Sequence, residues 1–262
     1  MYIALLLLLI SLVNCQWKFG LYKDHLSKII FPKYTPDMRL NVAKQVDSML
    51  SVYVNKESKA INYQVDHSSE MRRILKNAES MSDKEFHLSI SKMVLSFRDL
   101  HTNYYLPGPY GCYRALLPLD FDLLESSDLI NDPKVVVKSF SVYEEVLSKS
   151  PSIEDLVQIG DELITFNGKT FKTLFSEKKN ITGGANDYGG MRSLITYLSY
   201  VNGRMFPLPT ESSIEYHLKR NESYSYKYTA NYVARINTEC IASSLLPDKS
   251  GAFASNEDQD DS

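Results

Sequence analysis

The chain has 262 residues, of which 44% are apolar and 23% charged, with a formal net charge of -3. That is ordinary globular composition, so collagen-like repeats and wholesale disorder are excluded, and the length fits two domains of ~100–200 residues. Four acids lie in the last seven residues, Asn256–Ser262. The remainder is close to neutral and has no basic field to attract nucleic acid.

The uncharged run Ile3–Val13 is followed at once by Asn14, Cys15 and Gln16. It is too short for a bilayer, which needs ~20 apolar residues, and residues 1–15 read as a secretory signal peptide cut after Cys15. The mature chain is therefore expected to be secreted, with no membrane span. Cys112 and Cys240 are the two cysteines left. One bridge between them and two separate buried thiols both remain open, because geometry decides. Asn180-Ile181-Thr182 and Asn221-Glu222-Ser223 are sequons, so Asn180 and Asn221 are candidate N-glycosylation sites.

Residues 16–110 read as a helical region. Thr35-Pro36 is a hydroxyl N-cap with proline at the first helical position. Met38, Val42, Val46, Met49, Leu50 and Tyr53 follow at helical spacing as one apolar stripe. A short helix is expected over Glu70–Ala78. Another starts at Ser82, where Ser82-x-x-Glu85 forms a capping box, with the stripe Phe86, Ile90, Met93, Val94 and Phe97.

Residues 111–236 read as a β-rich domain. Leu116–Leu123 and Lys134–Val142 are expected strands, and Leu163–Phe166 runs into Asn167-Gly168, a two-residue hairpin signal. A helix is expected over Met191–Tyr200. Ile214, Tyr216 and Leu218 alternate with polar residues, as do Tyr224, Tyr226 and Tyr228, with Lys219–Ser223 as the turn between them. The tyrosine row, continued by Tyr232, is expected to pack against a further layer, and Asp161 and Glu162 to be solvated. Residues 237–262 read as a disordered acidic tail. The fold class is thus α+β, a helical region followed by a β-rich domain.

For chemistry, His25, His67, His87, His101 and His217 are scattered, and there is no metal-binding spacing, phosphate loop or dinucleotide fingerprint. Neither metal nor cofactor is expected. The glycines flanking Asn186-Asp187 read as a tight surface loop. His101 stands apart, because it follows an amphipathic helix and precedes a Pro-Gly-Pro loop. A neutral imidazole held that way suits removal of a proton from a serine.

Phe97-Arg98-Asp99-Leu100-His101-Thr102-Asn103-Tyr104-Tyr105-Leu106-Pro107 resembles the Asp-x-His segment of proteases related to chlamydial protease-like activity factor (CPAF). These belong to the wider tail-specific, C-terminal-processing serine peptidase family. Ile159-Gly160-Asp161-Glu162-Leu163-Ile164-Thr165-Phe166-Asn167-Gly168 resembles a strand and turn of that family's PDZ-like domain, and Gly184–Gly190 a loop that follows it in secreted members. The resemblance covers Thr35–Ala234 and implies that His101 is a general base toward a serine and that residues 111–236 are PDZ-like, with polypeptide as substrate or partner. The usual Gly-Leu-Gly-Phe carboxylate loop of PDZ domains is not present. The resemblance puts the serine in a core domain C-terminal to the PDZ-like one. No Gly-x-Ser-x-Gly elbow occurs here, and Ser243-Ser244 are poorly placed for the role. The chain is therefore expected to be a truncated form, an incomplete gene model or a paralogue without its catalytic core, and inactive alone. The alternative is a secreted peptide- or protein-binding module without enzymatic activity.

Overall fold

The computed structural model describes residues 17–25, 27, 33–99, 101–125, 128, 131–179 and 182–245. The residues expected to form a signal peptide (1–15), Asn180 and residues 246–262 of the expected tail lie outside them. An α+β architecture results, with a helical layer beside a body built on two antiparallel sheets.

The helical layer contains α1 (Pro36–Ser51), α2 (Lys56–Tyr63), α3 (His67–Asn77) and α4 (Asp83–Leu95). Local chemistry starts them: Thr35 caps α1 by accepting from the Met38 amide, Asp66 caps α3 through Ser69, and Ser82 caps α4 through Glu85. The expected stripe of α1 holds in its middle and end, where Leu50 is buried and Val42, Val46 and Tyr53 pack against the helical core. Met38 and Met49 are exposed, while Arg39, Ala43 and Leu50 are buried. Arg39 takes the inward position because its guanidinium is fully occupied there. It donates to Asp83, to the Tyr34 and Glu79 carbonyls, and through Nε to the Ala78 carbonyl at 2.7 Å. Paired in this way, a buried arginine ties α1 to the α3–α4 corner. α2 was not expected. α3 starts three residues earlier than expected, at His67.

The first sheet has the order β1 (Trp17–Leu21), β9 (Val233–Asn237), β2 (Tyr113–Leu116), β6 (Tyr200–Asn202). The second has the order β3 (Leu119–Leu123), β4 (Val135–Phe140), β5 (Glu162–Phe166), β7 (Ser213–Asn221), β8 (Tyr224–Asn231). The expected single strand Leu116–Leu123 is broken at Leu117-Pro118. Proline lacks the amide a ladder needs, so the chain leaves one sheet there and enters the other. Residues 17–21, read with the helical region, instead pair antiparallel with 233–237.

Asn167 and Gly168, with φ of 50° and 73°, make the tight turn after β5, but no returning strand follows. Thr170 caps a helix, α7 (Phe171–Lys178), and β5 pairs with β7 instead. Two four-residue helices, α5 (Glu144–Leu147) and α6 (Ile153–Leu156), precede β5. The long helix α8 (Asp187–Ser199) is capped by Asn186 and buries Met191, Leu194, Ile195 and Leu198 against β3 and both sheets. Burying side chains of this kind contributes ~1.5–3 kcal/mol each.

Asp161 is not solvated, as had been expected. It is 2% exposed, pairs with Arg220 at 3.1 Å, and accepts from the Gln158 amide and the Tyr226 hydroxyl. A buried carboxylate persists only with such partners. Tyr226 and Tyr228 lie half-buried against the main core, Tyr224 is exposed, and Tyr232 is buried beside Tyr22.

The stretch read as the start of a disordered tail instead forms helix α9 (Thr238–Leu245). Cys240, on this helix, is bonded to Cys112, with Cα atoms 5.4 Å apart. No helix among the described residues is long and apolar enough to cross a membrane.

Candidate functional site

The last turn of α4 delivers the chain to His101. Phe97 is fully buried, stacked on the His67 ring at 3.7 Å and edge-on to Tyr53 at 5.1 Å, so the end of the helix is fixed. The chain then reverses at Arg98, whose φ of 51° is uncommon for a residue with a Cβ. Several contacts hold that conformation. The guanidinium pairs with Asp187 at 2.8 Å, donates through Nε to the Gly184 carbonyl at 3.3 Å, and lies 5.0 Å over the Tyr63 ring. The Arg98 carbonyl accepts from Lys59 Nζ.

These contacts join two segments 86 residues apart, the histidine loop and the glycine loop that opens α8. The Tyr63 hydroxyl adds a bond to the Ala185 carbonyl. Gly184 sits at φ +134°, and a Cβ there would stand 2.4 Å from Gly189 and Gly190 backbone atoms, so no other residue fits. The glycine loop is therefore the floor on which Arg98 rests.

Asp99 organises the next turn. Its carboxylate accepts from the Tyr53 hydroxyl at 2.7 Å, the Thr102 hydroxyl at 2.9 Å and the His101 amide at 3.0 Å. The Tyr53 bond first, then the His101 amide, holds the Asp99 carboxyl down at about 2, below its ordinary 3.8. The His101 imidazole projects outward with its side chain 96% exposed, and its Nδ1 lies 3.5 Å from Asp99 Oδ1. Among the described residues Asp99 is the polar partner of that ring. A carboxylate beside Nδ1 favours the tautomer that leaves Nε2 as the proton acceptor.

Beyond His101 the chain is held at each step. The Tyr104 hydroxyl and His87 Nδ1 share a 2.6 Å hydrogen bond, and Leu106 donates its amide to the Arg204 carbonyl at 2.8 Å. The Arg204 guanidinium lies 4.5 Å over the Tyr105 ring. His87 is buried, and that burial pushes its imidazole down to about 4, so it is neutral near pH 7.

Other expected sites fall elsewhere. Ser243 and Ser244 donate to the Cys240 and Ile241 carbonyls of their own helix. Asn221 is exposed at the β7–β8 turn, where its Oδ1 accepts from Ser223. Among the described residues no group of three or more His, Cys, Asp or Glu side chains could hold a metal ion.

Sequence assigns no chemical role to Asp99 or Arg98 and reads Tyr53 only as part of an apolar stripe. The Asp-x-His spacing is a local signal that could have singled out Asp99. Nothing local reveals Tyr53, because its bond to Asp99 spans 46 residues.

No family model matches the chain, and no curated protein matches it. Among solved structures, mature CPAF superposes with a TM-score of 0.56 and 13% identity, covering 75% of this chain and 34% of that one. Mature CPAF complexed with lactacystin gives a TM-score of 0.55 and 13% identity, covering 75% of this chain and 35% of that one. The photosystem II D1 C-terminal processing protease reaches a TM-score of 0.27, too low to indicate a shared fold. The chain thus spans about a third of the length of the CPAF chains it matches. At this identity the likeness is one of fold: three quarters of the chain is folded like a part of CPAF.

Proposed function

We infer that this chain is the histidine-bearing and PDZ-like portion of a secreted, CPAF-like serine peptidase acting on polypeptides. The observation that carries this reading is the exposed His101 imidazole beside the well-anchored carboxylate of Asp99, on a fold like that of CPAF. His101 acts as general base through Nε2 toward a serine hydroxyl. Asp99 steadies the ring and the positive charge it acquires. Within residues 1–262 no serine is assigned as nucleophile, so the chain alone is inactive as a peptidase. Loss of the nucleophile from such a triad costs on the order of 10⁶-fold.

In this reading residues 111–236 are the PDZ-like domain, and its five-stranded sheet carries Gly160–Gly168 on and beside β5. Its β3 side is occupied by α8, fastened through Arg192 to Asp122, and Leu117 donates its amide to the Ser199 carbonyl. It therefore serves as a scaffold for the histidine loop rather than as a carboxylate-capturing groove. A second reading, a secreted module that binds a protein partner without catalysis, is favoured by β8. That strand ends the second sheet and exposes Tyr224 at 43%.

The test is fluorophosphonate labelling of the purified chain, beside sequencing of the transcript beyond the codon for Ser262. The peptidase reading expects no adduct on the isolated chain and a continuing frame with a serine at a strand-to-helix turn. A serine adduct that His101→Ala abolishes would overturn the inactivity. A stop codon directly after Ser262 would favour the binding module.

A further inference from the structure

The segment after His101 does more than lead into the next strand. A cavity of about 90 Å³ opens beside it, lined by Leu95, Asn103, Tyr104, Tyr105, Gly183, Ser193, Met205 and Phe206. Its walls come from four places: the end of α4, the extended stretch after His101, α8, and the turn after β6. Each wall is fixed independently. Leu95 is buried in the last turn of α4, Tyr104 is tied to His87, Tyr105 lies under Arg204, and Met205 donates its amide to the Asn202 carbonyl. A hollow bounded this way is formed before any ligand arrives.

Its chemistry is selective. No charged side chain lines it. Its lining is aliphatic, aromatic and thioether, with Ser193, Asn103 and the two tyrosines as the side chains that carry polar atoms, the Tyr104 hydroxyl being taken up by His87. A cavity of ~150 Å³ accepts benzene in a well-studied engineered case. About 90 Å³ therefore suits a branched aliphatic side chain and is too small for an indole. A carboxylate there would lose hydration with no cationic side chain in the lining, since Arg204 lies on Tyr105 and is not itself part of it.

Position ties the cavity to the histidine. Asn103 is two residues from His101, so their Cα atoms are at most ~7 Å apart. An extended peptide advances ~3.3 Å per residue. A polypeptide whose reacting carbonyl lies near the His101 imidazole would thus bring a side chain two or three residues away to the cavity mouth.

We propose that this cavity is a specificity pocket that takes one uncharged aliphatic side chain of a polypeptide beside the His101 loop. The proposal rests on the reading of His101 as part of a peptidase site, and it names the substrate feature that the site selects. Tyr104, Tyr105, Met205 and Phe206 form the pocket walls together with Leu95 and Ser193.

The experiment is methyl NMR on the full chain with ¹³C-labelled methionine, titrated with the N-acetyl amides of leucine, valine, aspartate and tryptophan. The expected result is a saturable shift of the Met205 ε-methyl with leucine and valine amides, and binding at least ~10-fold weaker for aspartate and tryptophan amides. Ser193→Leu, which fills the hollow, should abolish the shift while the far-UV spectrum and thermal midpoint stay unchanged. If Ser193→Leu does not fold, Ser193→Val serves as the smaller plug and should weaken leucine-amide binding. An unmoved Met205 methyl, or equal binding of the aspartate amide, would overturn the proposal. The measurement requires no turnover, so a negative result counts against the pocket and leaves the peptidase reading to its own test.

Discussion

The helical layer encloses Ile74, Phe86, Phe97 and three methionines, and into this core Arg39, His67 and His87 are also sunk. The body built on the two sheets encloses mostly aliphatic and aromatic side chains, keeps Asp161 paired beside Arg220, and is clasped at its end by the Cys112–Cys240 bond. The difference is one of what holds each part together. The body depends on apolar area and a covalent tie, whereas the helical layer adds to its apolar core a buried arginine held by four hydrogen bonds and two desolvated histidines. The candidate base stands on the second kind of support, where pH and single substitutions reach furthest.

The largest expected effect breaks the tie of the body. The disulfide closes a separation of 128 residues, and for loops of this length the chain-entropy model assigns ~4–5 kcal/mol. Cys240→Ser should lower unfolding stability by about that amount in a guanidinium titration under oxidising conditions, with a matching fall on adding reductant to the parent protein. A change below ~1 kcal/mol would show that α9 adds little to the body.

Next comes the polar anchor of the helical layer. Arg39→Met strips the Asp83 carboxylate of its cation, leaving it only the Tyr34 amide, and takes a donor from three carbonyls, which should cost ~3–5 kcal/mol. Far-UV helicity should then be lost at lower denaturant than the near-UV signal of the body. Coincident loss of both signals would mean that the two parts do not melt separately.

A third prediction uses acid. Burial lowers both His67 and His87, the latter to about 4, whereas an unfolded imidazole titrates near 6.5. Between those values the unfolded chain binds more protons, so the contribution is complete above pH 6.5 and is lost as pH falls toward 4. Around His87, Asp83 favours the charged ring and Arg39 opposes it, with Tyr34, Phe86 and Tyr104 as uncharged neighbours. Melting temperature of the helical layer should fall over that window. His87→Phe should flatten the dependence, at a cost of ~1–3 kcal/mol for the Tyr104 hydroxyl left unpaired.

The smallest effect is local to the site. Tyr53→Phe removes the foremost cause of the low Asp99 value, so its carboxyl should titrate closer to 3.8 and the loop lose ~1–2 kcal/mol. Because Asp99 is depressed, its contribution is present above about pH 3.8 and is lost as pH falls through about 2 in the parent protein. Amide exchange at His101 and Thr102 should quicken at a higher pH in the variant. An unchanged exchange profile would remove Tyr53 from the support of the loop.

Sequence was informative where the physics is local. The Thr35 and Ser82 caps, the Asn167-Gly168 turn and the apolar face of α4 depend on neighbours within four residues, and each appears in the structure. The stripe of α1 held at Val42, Val46, Leu50 and Tyr53, but not at Met38 and Met49, and the inward turn of Arg39 went unseen because its partners Ala78 and Asp83 lie 39 and 44 residues away. Asp161 likewise looked solvated because Arg220 lies 59 residues on. Strand β1 is five residues whose pairing partner is at the other end of the chain, so its own pattern carried no signal. At the site, the Asp-x-His spacing was legible, and the remote supports from Tyr53, Tyr63 and Asp187 were not.

The central claim is that Asp99 holds His101 as a base with Nε2 turned to an incoming hydroxyl. Long-range ¹H–¹⁵N NMR of the neutral imidazole tests this most directly. The account predicts that His101 carries its proton on Nδ1 with Nε2 unprotonated, and that Asp99→Asn shifts the ring toward the Nε2–H tautomer. Finding the Nε2–H tautomer in the parent protein, unchanged in Asp99→Asn, would contradict it.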